Sequence, residues 1–279
     1  MLTHFDHVTI AVHDLPAAVC AYTLLLGTPP TWRGANPETG AAGALFGQSN
    51  ALIELVGAGD DSFGGEGLRG WLHAHGEGVQ AIAFGTEDAQ ATSAGLRERG
   101  LRATAVQDGE ARSTEGVVRT YQSVELSPRA TRGLHMLAVQ RADTLALRGS
   151  LARPADAVDA LDHVLISTSD PDAAIALYQD GLGIRLALDR QRGPMRMLFF
   201  RVGGVTIEIV QRAAPATTDS FAGLAYRVRD IEGAHARLAT AGFTVSEPRD
   251  GNKPGTRVFT VRDKTCCVPT LILRDPARD

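Results

Sequence analysis

Two histidines and two glutamates have the residue types and positions to do chemistry together. His7 and Glu54 lie in the first half of the chain, and His163 and Glu208 lie at comparable positions in the second half. An imidazole and a carboxylate form a ligand pair suited to Zn, Ni, Mn or Fe(II). A carboxylate can also remove a proton from a carbon next to a carbonyl group. Each pair is therefore a candidate metal site or acid–base site.

The alternation of apolar residues predicts that the two members of each pair share one face of a sheet. Side chains of a strand point alternately to opposite faces, and His7, Glu54, His163 and Glu208 all fall between apolar positions. The apolar positions that define these faces are Val8, Ile10, Val12, Ala51, Ile53, Leu55, Val164, Ile166, Ile207 and Ile209. We therefore expect one imidazole and one carboxylate on a common face in each half.

Both pairs belong to a long internal repeat. The segment FDHVTIAVHDLPAAVCAYTLLLG, from Phe5 to Gly27, matches LDHVLISTSDPDAAIALYQDGLG, from Leu161 to Gly183. Later segments also match each other, at Ala83/Ala225, Asp88/Asp230, Ala94/Ala236, Leu96/Leu238 and Gly100/Gly242. Repeats of this length indicate duplication of a whole supersecondary unit rather than a solenoid of short periods. The sequence predicts four such units in two tandem pairs.

Local signals predict the same order of elements in each unit, and the first unit shows them most clearly. Thr3–Val12 alternates as a strand, Asp14 fits a helix N-cap, and Gly27 is placed to end the helix. The segment 28–42 is rich in Pro, Gly and Thr and is predicted to be a loop. Further strands follow, so each unit reads as strand, helix, strands.

The position of the repeats predicts the domain boundaries. Residues 141–158 show no clean strand or helix periodicity and separate the second unit from the third. We therefore predict an α+β protein with an N-terminal domain over residues 1–140, a linker over 141–158 and a C-terminal domain over 159–279.

Composition limits the class of protein. The chain has 279 residues, of which 44% are hydrophobic and 22% charged, and a net charge of −4, which is typical of a soluble globular protein. It has no basic patch for nucleic acid and no apolar run near the roughly 20 residues of a membrane span. Cys20, Cys266 and Cys267 do not form a disulfide framework. These features predict a cytoplasmic monomer or homodimer whose partner is a small-molecule substrate rather than nucleic acid or a membrane.

The repeated motifs resemble those of the vicinal oxygen chelate superfamily. They are DHV in a first strand, DLPAA or DPDAA at a helix start, a YxxxLG-type helix end, and IEL or IEI in a last strand. The superfamily includes glyoxalase I, methylmalonyl-CoA epimerase, extradiol dioxygenases and the fosfomycin and bleomycin resistance proteins. The resemblance covers nearly the whole chain. It implies four βαβββ modules paired into two tandem glyoxalase-like domains with curved mixed sheets.

The resemblance also implies a metal site with an incomplete set of ligands. In the superfamily each site takes ligands from the first and last strands of two modules, and the two His/Glu pairs match one module of each half. The matching positions of the partner modules hold other residues: Ala81, Leu137, Gly223 and Thr270. His135, Gln80 or Gln48 would have to supply the missing donors in the first half. The implied cofactor is a divalent metal, Zn, Ni, Mn or Fe.

The leading interpretation of these residues is a metal-assisted isomerase or lyase that acts on a small oxygenated metabolite. Glu54 or Glu208 would be ligand or base, and His7 or His163 would be a ligand. One alternative is a metal-free binding protein that sequesters a small molecule, as the bleomycin resistance proteins do. An extradiol-type dioxygenase is a weaker alternative, because its Fe(II) needs two histidines and one carboxylate.

Four further residues are candidates for contacts with the substrate. Arg119 and Arg257 occupy similar positions in the second and fourth units, where a guanidinium facing the cleft could bind a carboxylate or phosphate. Trp32 and Tyr226 could form an apolar wall of a cleft. The alternatives are that the arginines are solvated strand positions and that the aromatic residues belong to the core.

Overall fold

Two eight-stranded sheets, one from each half of the sequence, form the framework of the protein. This computed structural model describes residues 1–59, 65–150, 152–213 and 215–278. The first half contains β1 (Leu2–Ala11), β2 (Trp32–Ala35), β3 (Ala42–Gly47), β4 (Leu52–Gly57), β5 (Gly78–Thr86), β6 (Gln107–Ser113), β7 (Val118–Leu126) and β8 (His135–Gln140). The second half contains β9 (Val158–Thr168), β10 (Arg185–Arg192), β11 (Met195–Val202), β12 (Val205–Gln211), β13 (Ser220–Val228), β14 (Arg249–Asp250), β15 (Arg257–Val261) and β16 (Thr270–Arg274).

Six α-helices accompany these strands in the described part of the chain. They are α1 (Leu15–Leu26), α2 (Glu66–His75), α3 (Ala89–Glu98), α4 (Thr144–Arg148), α5 (Pro171–Ile175) and α6 (Ile231–Thr240), and α5 continues as a π-helical segment, Ala176–Gly181. The predicted caps of α1 are present. The Asp14 side chain accepts a hydrogen bond from the Ala17 amide, and Gly27 ends the helix in the left-handed conformation, with φ of 73°.

Each half consists of two modules of one strand, one helix and three strands. The first and last strands of every module pair in parallel, as β1–β4, β5–β8, β9–β12 and β13–β16. The two modules of each half join through antiparallel pairs, β1–β5 and β9–β13. The predicted α+β fold with four βαβββ modules in two tandem glyoxalase-like domains is therefore confirmed.

The two sheets differ in whether they close. In the first half β2 pairs with β6, through Gly34 with Ser113 and Ala35 with Arg112, and the strands form a closed barrel. Gly34 is needed there, because a Cβ at this position would clash with the carbonyl of Arg112. In the second half the sheet begins at β10 and ends at the two-residue strand β14, and these edges do not pair within the described residues. The first half therefore encloses a space, whereas the second presents an open curled sheet.

The helices cover the outer faces of both sheets and share one apolar core. Val8 and Ile10 of the first half and Val164 and Ile166 of the second are fully buried in the same cluster. Burying each such side chain stabilises the fold by roughly 1.5–3 kcal/mol. The two halves therefore support each other through a continuous core.

Polar contacts at the end of α1 also join the two halves. The Tyr22 hydroxyl donates a hydrogen bond to the Thr265 carbonyl (3.1 Å). The guanidinium of Arg237 donates to the carbonyl of Leu24, and it also contacts Asp156, with an Nε–Oδ2 distance of 3.1 Å. These bonds fix the carboxyl end of α1 against the second half.

The segment between β8 and β9, where the linker is predicted, packs against one end of the barrel. It contains α4, which the sequence did not predict. Leu147 of α4 is buried in a small apolar cluster with Leu45, Leu52 and Trp32. Arg153 donates a hydrogen bond to Oε1 of Gln48 (3.1 Å), so the side chain of Gln48 is bound to the segment between β8 and β9.

Four strands escaped the sequence prediction, and all are the second strand of a module. The segment predicted to be a loop, 28–42, contains β2, and β6, β10 and β14 were also missed. β10 is exposed along most of its length, so it has no apolar face to produce an alternating pattern. β2 and β14 are only four and two residues long.

Candidate functional site

Asp6 and His7 are consecutive residues of β1, yet the side chain of one contacts the ring of the other. In the β1–β5 ladder Phe5 pairs with Phe84 and His7 pairs with Ala83, which makes Asp6 the extra residue of a β-bulge. A bulge of this kind redirects side chains that would otherwise alternate. The Oδ1 atom of Asp6 lies 2.6 Å from Nδ1 of His7. The bulge therefore builds an Asp–His pair from adjacent residues.

The opposite edge of the His7 ring faces Glu54 on the neighbouring strand β4. Nε2 of His7 lies 3.5 Å from Oε2 of Glu54. The hydroxyl of Thr9, which is paired with Glu54 in the parallel ladder, donates a hydrogen bond to the same oxygen (2.9 Å). The structure thus brings His7 and Glu54 together on the face predicted from the alternation.

These residues line a cavity of about 290 Å³ inside the closed barrel. The predicted residues Trp32 and Arg119 line the same cavity as His7 and Glu54. Its other polar side chains include Thr9, Asn36, Gln80, Tyr121, Ser123, Glu125, His135 and Arg141. The first half therefore holds a partly open site with polar and apolar walls around one carboxylate and one imidazole.

Arg119 is held at the cavity wall from two sides. Its guanidinium carbon lies 4.6 Å from the centre of the Trp32 ring, a cation–π contact, and its Nε lies 2.9 Å from Oδ2 of Asp143. Its Nη1 is buried and has no hydrogen-bond partner within the described part of the chain. Burial lowers the pKa of Arg119 from its usual value, and the charge of Asp143 opposes this. The group is a cation. Its Nε makes an ion pair with Asp143 without a hydrogen bond, so Nε and Nη1 are both buried nitrogens without a hydrogen-bond partner among the described residues.

Arg141 secures the Asp–His pair from behind. Its Nη2 lies 2.9 Å from Oδ1 of Asp6 and 3.3 Å from Nδ1 of His7. Burial alone would raise the pKa of Asp6, but Arg141 and the hydrogen bond with His7 outweigh it and lower that pKa to about 2. Asp6 is thus ionised at neutral pH and accepts the Nδ1 proton of His7. This contact fixes the orientation of the ring, with Nε2 directed towards Glu54.

The second half repeats the His/Glu pair on its open sheet. Leu161 pairs with Tyr226 and His163 with Ala225, so a bulge recurs at Asp162. Nδ1 of His163 lies 3.1 Å from Oδ2 of Asp162, and Nε2 lies 3.7 Å from Oε2 of Glu208. Burial raises the pKa of Glu208, and His163 opposes this. The predicted second pair is present, but on a sheet that does not close.

Arg257 does not join this second pair. Its Nη2 lies 2.8 Å from Oε1 of Glu232 on α6. Phe259, two residues later and on the same face, packs its ring against His235 of that helix, at 5.4 Å between ring centres. Arg257 thus lies on the helix-covered face of β15, opposite to the face of Glu208. The prediction that it contacts a substrate beside Glu208 is corrected, because strand parity turns it away.

Tyr226 is also remote from the second pair. It is fully buried in the core that joins the two halves, beside Tyr22. Burial and the nearby Cys266 raise the pKa of its hydroxyl. The prediction that Tyr226 forms the wall of a cleft is corrected in favour of the alternative, a core residue.

The donor set around His7 and Glu54 does not fit a resident metal ion. Resident catalytic zinc usually has three protein ligands. Ala81 and Leu137 line the cavity at the positions where the resemblance implies further ligands. Among the described residues, no group of three or more His, Cys, Asp or Glu side chains is arranged to hold a metal. His135 and Gln80 line the cavity without completing such a group.

Sequence reasoning missed Arg141 and Asp143, and it considered Asp6 only as a hydrogen-bond partner of a structural His7. Asp6 stands in the repeated DHV motif, but its role depends on a bulge that strict alternation does not anticipate. Arg141 continues the alternation of Leu137 and Val139 beyond the end of β8, a signal that could have placed it in the cavity. Asp143 lies in the predicted linker and gave no such signal.

Comparisons with known proteins agree with this fold. Residues 5–180 match the family described as Glyoxalase-like domain, and residues 160–266 match the Glyoxalase/Bleomycin resistance protein/Dioxygenase superfamily. A search of curated proteins finds no match.

Solved structures show the same architecture. A mutant of 4-hydroxymandelate synthase from Streptomyces coelicolor has a TM-score of 0.71 and 14% identity, covering 98% of this chain and 92% of its own. The Mn(II)-bound glyoxalase from Novosphingobium aromaticivorans has a TM-score of 0.68 and 15% identity, covering 98% and 82%. A hypothetical protein from Staphylococcus aureus has a TM-score of 0.66 and 9% identity, covering 99% and 100%. At these identities the likeness shows the fold.

A membrane-spanning helix is not found among the described residues, since none of their helices is both long and apolar enough.

Proposed function

This chain belongs to the glyoxalase-like domain family, and on that premise we propose that the barrel of its first half is the active site of an isomerase or lyase. The substrate is a small oxygenated carbonyl compound. The reaction is the removal and return of a proton on the carbon next to the carbonyl group, with Glu54 as the base. The observation that carries the proposal is the carboxylate of Glu54 in the lining of a cavity of about 290 Å³ inside the closed barrel.

The contacts of Glu54 suit the role of a base. Thr9 and His7 both approach its Oε2, which leaves Oε1 as the oxygen available to a ligand. The hydroxyl of Thr9 also fixes the orientation of the carboxylate. A base must be positioned within hydrogen-bond reach of the proton that it removes. A small molecule confined to this cavity meets that condition.

Two differences between the halves favour the first half as the active one. The barrel around Glu54 is closed, whereas the sheet that carries Glu208 is open. Excluding water strengthens electrostatic interactions with a reacting molecule. A guanidinium, that of Arg119, also lines the same cavity as Glu54, whereas Arg257 is turned away from Glu208.

A second candidate function is the binding of a small molecule without reaction. The absence of a complete set of metal ligands in the described residues favours it. This function needs the cavity and its donors, but it does not need a catalytic carboxylate. The two candidates therefore differ in what Glu54 does.

Proton exchange with solvent distinguishes the two candidates. The probes are hydroxyacetone, dihydroxyacetone and pyruvate in D2O, and the rate of deuterium incorporation next to the carbonyl is followed by NMR. We expect the wild type to accelerate exchange and Glu54→Gln to lower the rate by at least about 100-fold. Glu208→Gln, the matched change in the second half, should leave the rate unaltered. Binding of a probe with no exchange by the wild type would support the binding protein instead.

A further inference from the structure

We infer that the Nη1 group of Arg119 binds the carbonyl oxygen of the substrate and stabilises the enolate, in place of a metal ion. The inference rests on the proposed function and names the group that completes it. A carboxylate base alone does not stabilise the negative charge that develops on the carbonyl oxygen. An enzyme that removes a proton next to a carbonyl needs a positive or hydrogen-bonding group at that oxygen.

Arg119 is prepared for this task by its fixed position. Trp32 supports one face of the guanidinium at 4.6 Å, and Asp143 holds Nε at 2.9 Å. A donor that is already in place costs no reorganisation when charge develops on the oxygen. Only 11% of the Arg119 side chain is exposed, so its charge acts with little screening by water.

The unpaired Nη1 donor is the observation that points to a ligand. Buried polar groups in folded proteins almost always have hydrogen-bond partners, and an exception calls for an explanation. Nη1 of Arg119 is buried and has no partner within the described residues, and the side chain lines the cavity that contains Glu54. An acceptor atom of a bound molecule would satisfy it.

The same cavity is poorly suited to a divalent cation. A metal bound by His7 and Glu54 would share the space with the guanidinium groups of Arg119 and Arg141. Ala81 offers no donor to compensate. Within the described residues the cavity thus lacks a complete set of metal ligands and contains an arginine donor. In this arrangement a guanidinium supplies the positive charge that a metal ion would otherwise supply.

The charges of the lining indicate the class of substrate. Arg141 is paired with Asp6 and Arg119 with Asp143, each at 2.9 Å. The carboxylates of Glu54 and Glu125 line the cavity in addition. The two guanidiniums of the lining are thus neutralised by Asp6 and Asp143, which lie outside it, and the carboxylates in and around the cavity outnumber the guanidiniums, which disfavours an anionic substrate. An uncharged carbonyl compound, such as a hydroxyketone or hydroxyaldehyde, fits better than a keto acid.

The proposed step is balanced by the two side chains. The C–H bond next to the carbonyl breaks, and the proton passes to Oε1 of Glu54. The electron pair of that bond forms the C=C bond of the enolate, and the electrons of the C=O π bond move to the oxygen, which accepts a hydrogen bond from Nη1 of Arg119. Replacement of the Glu54 proton by a deuteron from D2O, followed by its transfer to the same carbon, gives exchange. Protonation of the former carbonyl carbon, with transfer of the hydroxyl proton to the former carbonyl oxygen, gives an isomer.

The test measures deuterium exchange into hydroxyacetone and pyruvate by protein that has been treated with EDTA. The variants are Arg119→Gln and Arg119→Lys, and the matched control is Arg112→Gln, an exposed arginine on β6 of the same barrel. Thermal unfolding of each variant is recorded to establish that the variant folds. Arg119→Lys keeps the positive charge and serves as the test variant if Arg119→Gln fails to fold.

We expect EDTA to have no effect and hydroxyacetone to be exchanged faster than pyruvate. Arg119→Gln should lower kcat by about 100-fold or more with little change in KM, since the donor acts on the transition state. Arg119→Lys should retain part of the activity, and Arg112→Gln should match the wild type.

Three other outcomes overturn the inference in distinguishable ways. If EDTA abolishes exchange, added Zn or Mn restores it, and Glu54→Gln is inactive, then the proposed function stands and the role of Arg119 is refuted. If the wild type exchanges none of the probes, the proposed function fails and the inference fails with it. Unchanged kcat in folded Arg119→Gln would also refute the role of Arg119.

Discussion

Nη2 of Arg141 lies 2.9 Å from Oδ1 of Asp6, an ion pair that ties the end of β8 to the bulge of β1. Both side chains are almost fully buried, with 7% and 1% exposed. The pair holds Asp6 ionised and so orients His7, whose Nε2 faces Glu54. The candidate site therefore depends on an ion pair at the wall of the cavity.

Removing Arg141 is expected to destabilise the protein strongly. Arg141→Gln leaves the buried charge of Asp6 without its cation, so we expect a loss of about 3–5 kcal/mol in the free energy of unfolding. The double variant Asp6→Asn, Arg141→Gln should recover much of that loss, because no charge is left unpaired. Urea denaturation of the two single variants and the double variant measures the coupling. Additive losses would contradict a buried ion pair.

The pKa of Asp6 predicts an acid-sensitive contribution to stability. Its pKa in the folded protein, about 2, lies below the usual value of a free aspartate, near 4. The folded state thus favours the ionised form, so the contribution is complete above pH 4 and is lost as the pH falls through 2. The difference corresponds to about 2 kcal/mol. Unfolding of wild type and Asp6→Asn between pH 2 and 7 should show a wild-type curve that falls more steeply. Parallel curves would contradict the assignment.

Ionisation of Glu208 is expected to lower the stability of the fold, whereas ionisation of Asp6 raises it. Burial raises its pKa, although His163 opposes the rise, so the folded state favours the protonated form. Its ionisation therefore destabilises the fold as the pH rises through the pKa of the folded state. Glu208→Gln should stabilise the protein at pH 7, by ~1 kcal/mol, and have little effect near pH 4. Thermal unfolding at both pH values measures this. A loss of stability at pH 7 would show that the charge of Glu208 is well compensated.

Restoring the missing ligands should create a metal site. Ala81 and Leu137 line the cavity beside His7 and Glu54. The double variant Ala81→His, Leu137→Glu supplies four ligands, and we expect about one Zn per chain after dialysis against zinc and removal of excess metal. The wild type should retain far less than one equivalent under the same treatment. Elemental analysis measures both, and stoichiometric zinc in the wild type would contradict the conclusion that its donor set does not fit a metal.

Much of the fold could be predicted because its signals are local and repeated. The alternation around Val8 and Ile10 identified β1. The capping residues Asp14 and Gly27 marked the two ends of α1. The repeat at His163 then carried the same elements into the second half. Closure of the first barrel could not be predicted, because it depends on pairing of β2 with β6 and neither strand shows an apolar alternation.

The candidate site was predicted only in part, for reasons of geometry. His7 and Glu54 follow the strand period, so their common face could be inferred from the sequence. Arg119 and Arg257 look equivalent in sequence, yet Arg119 lies on the cavity face of β7 and Arg257 on the helix-covered face of β15, so the two positions have opposite strand parity. Asp6 required knowledge of a bulge. The sequence pattern therefore did not predict the direction of side chains at and beyond an irregularity in a strand, such as the β-bulge at Asp6.

The central claim is that Glu54 removes a proton from a carbonyl compound inside the barrel without the help of a metal. The most direct measurement is the rate at which EDTA-treated wild-type protein introduces deuterium into hydroxyacetone in D2O, compared with Glu54→Gln. The account predicts measurable exchange by the wild type and a rate at least about 100-fold lower for the variant. Equal rates for the two proteins, or exchange that appears only when a metal is added, would contradict it.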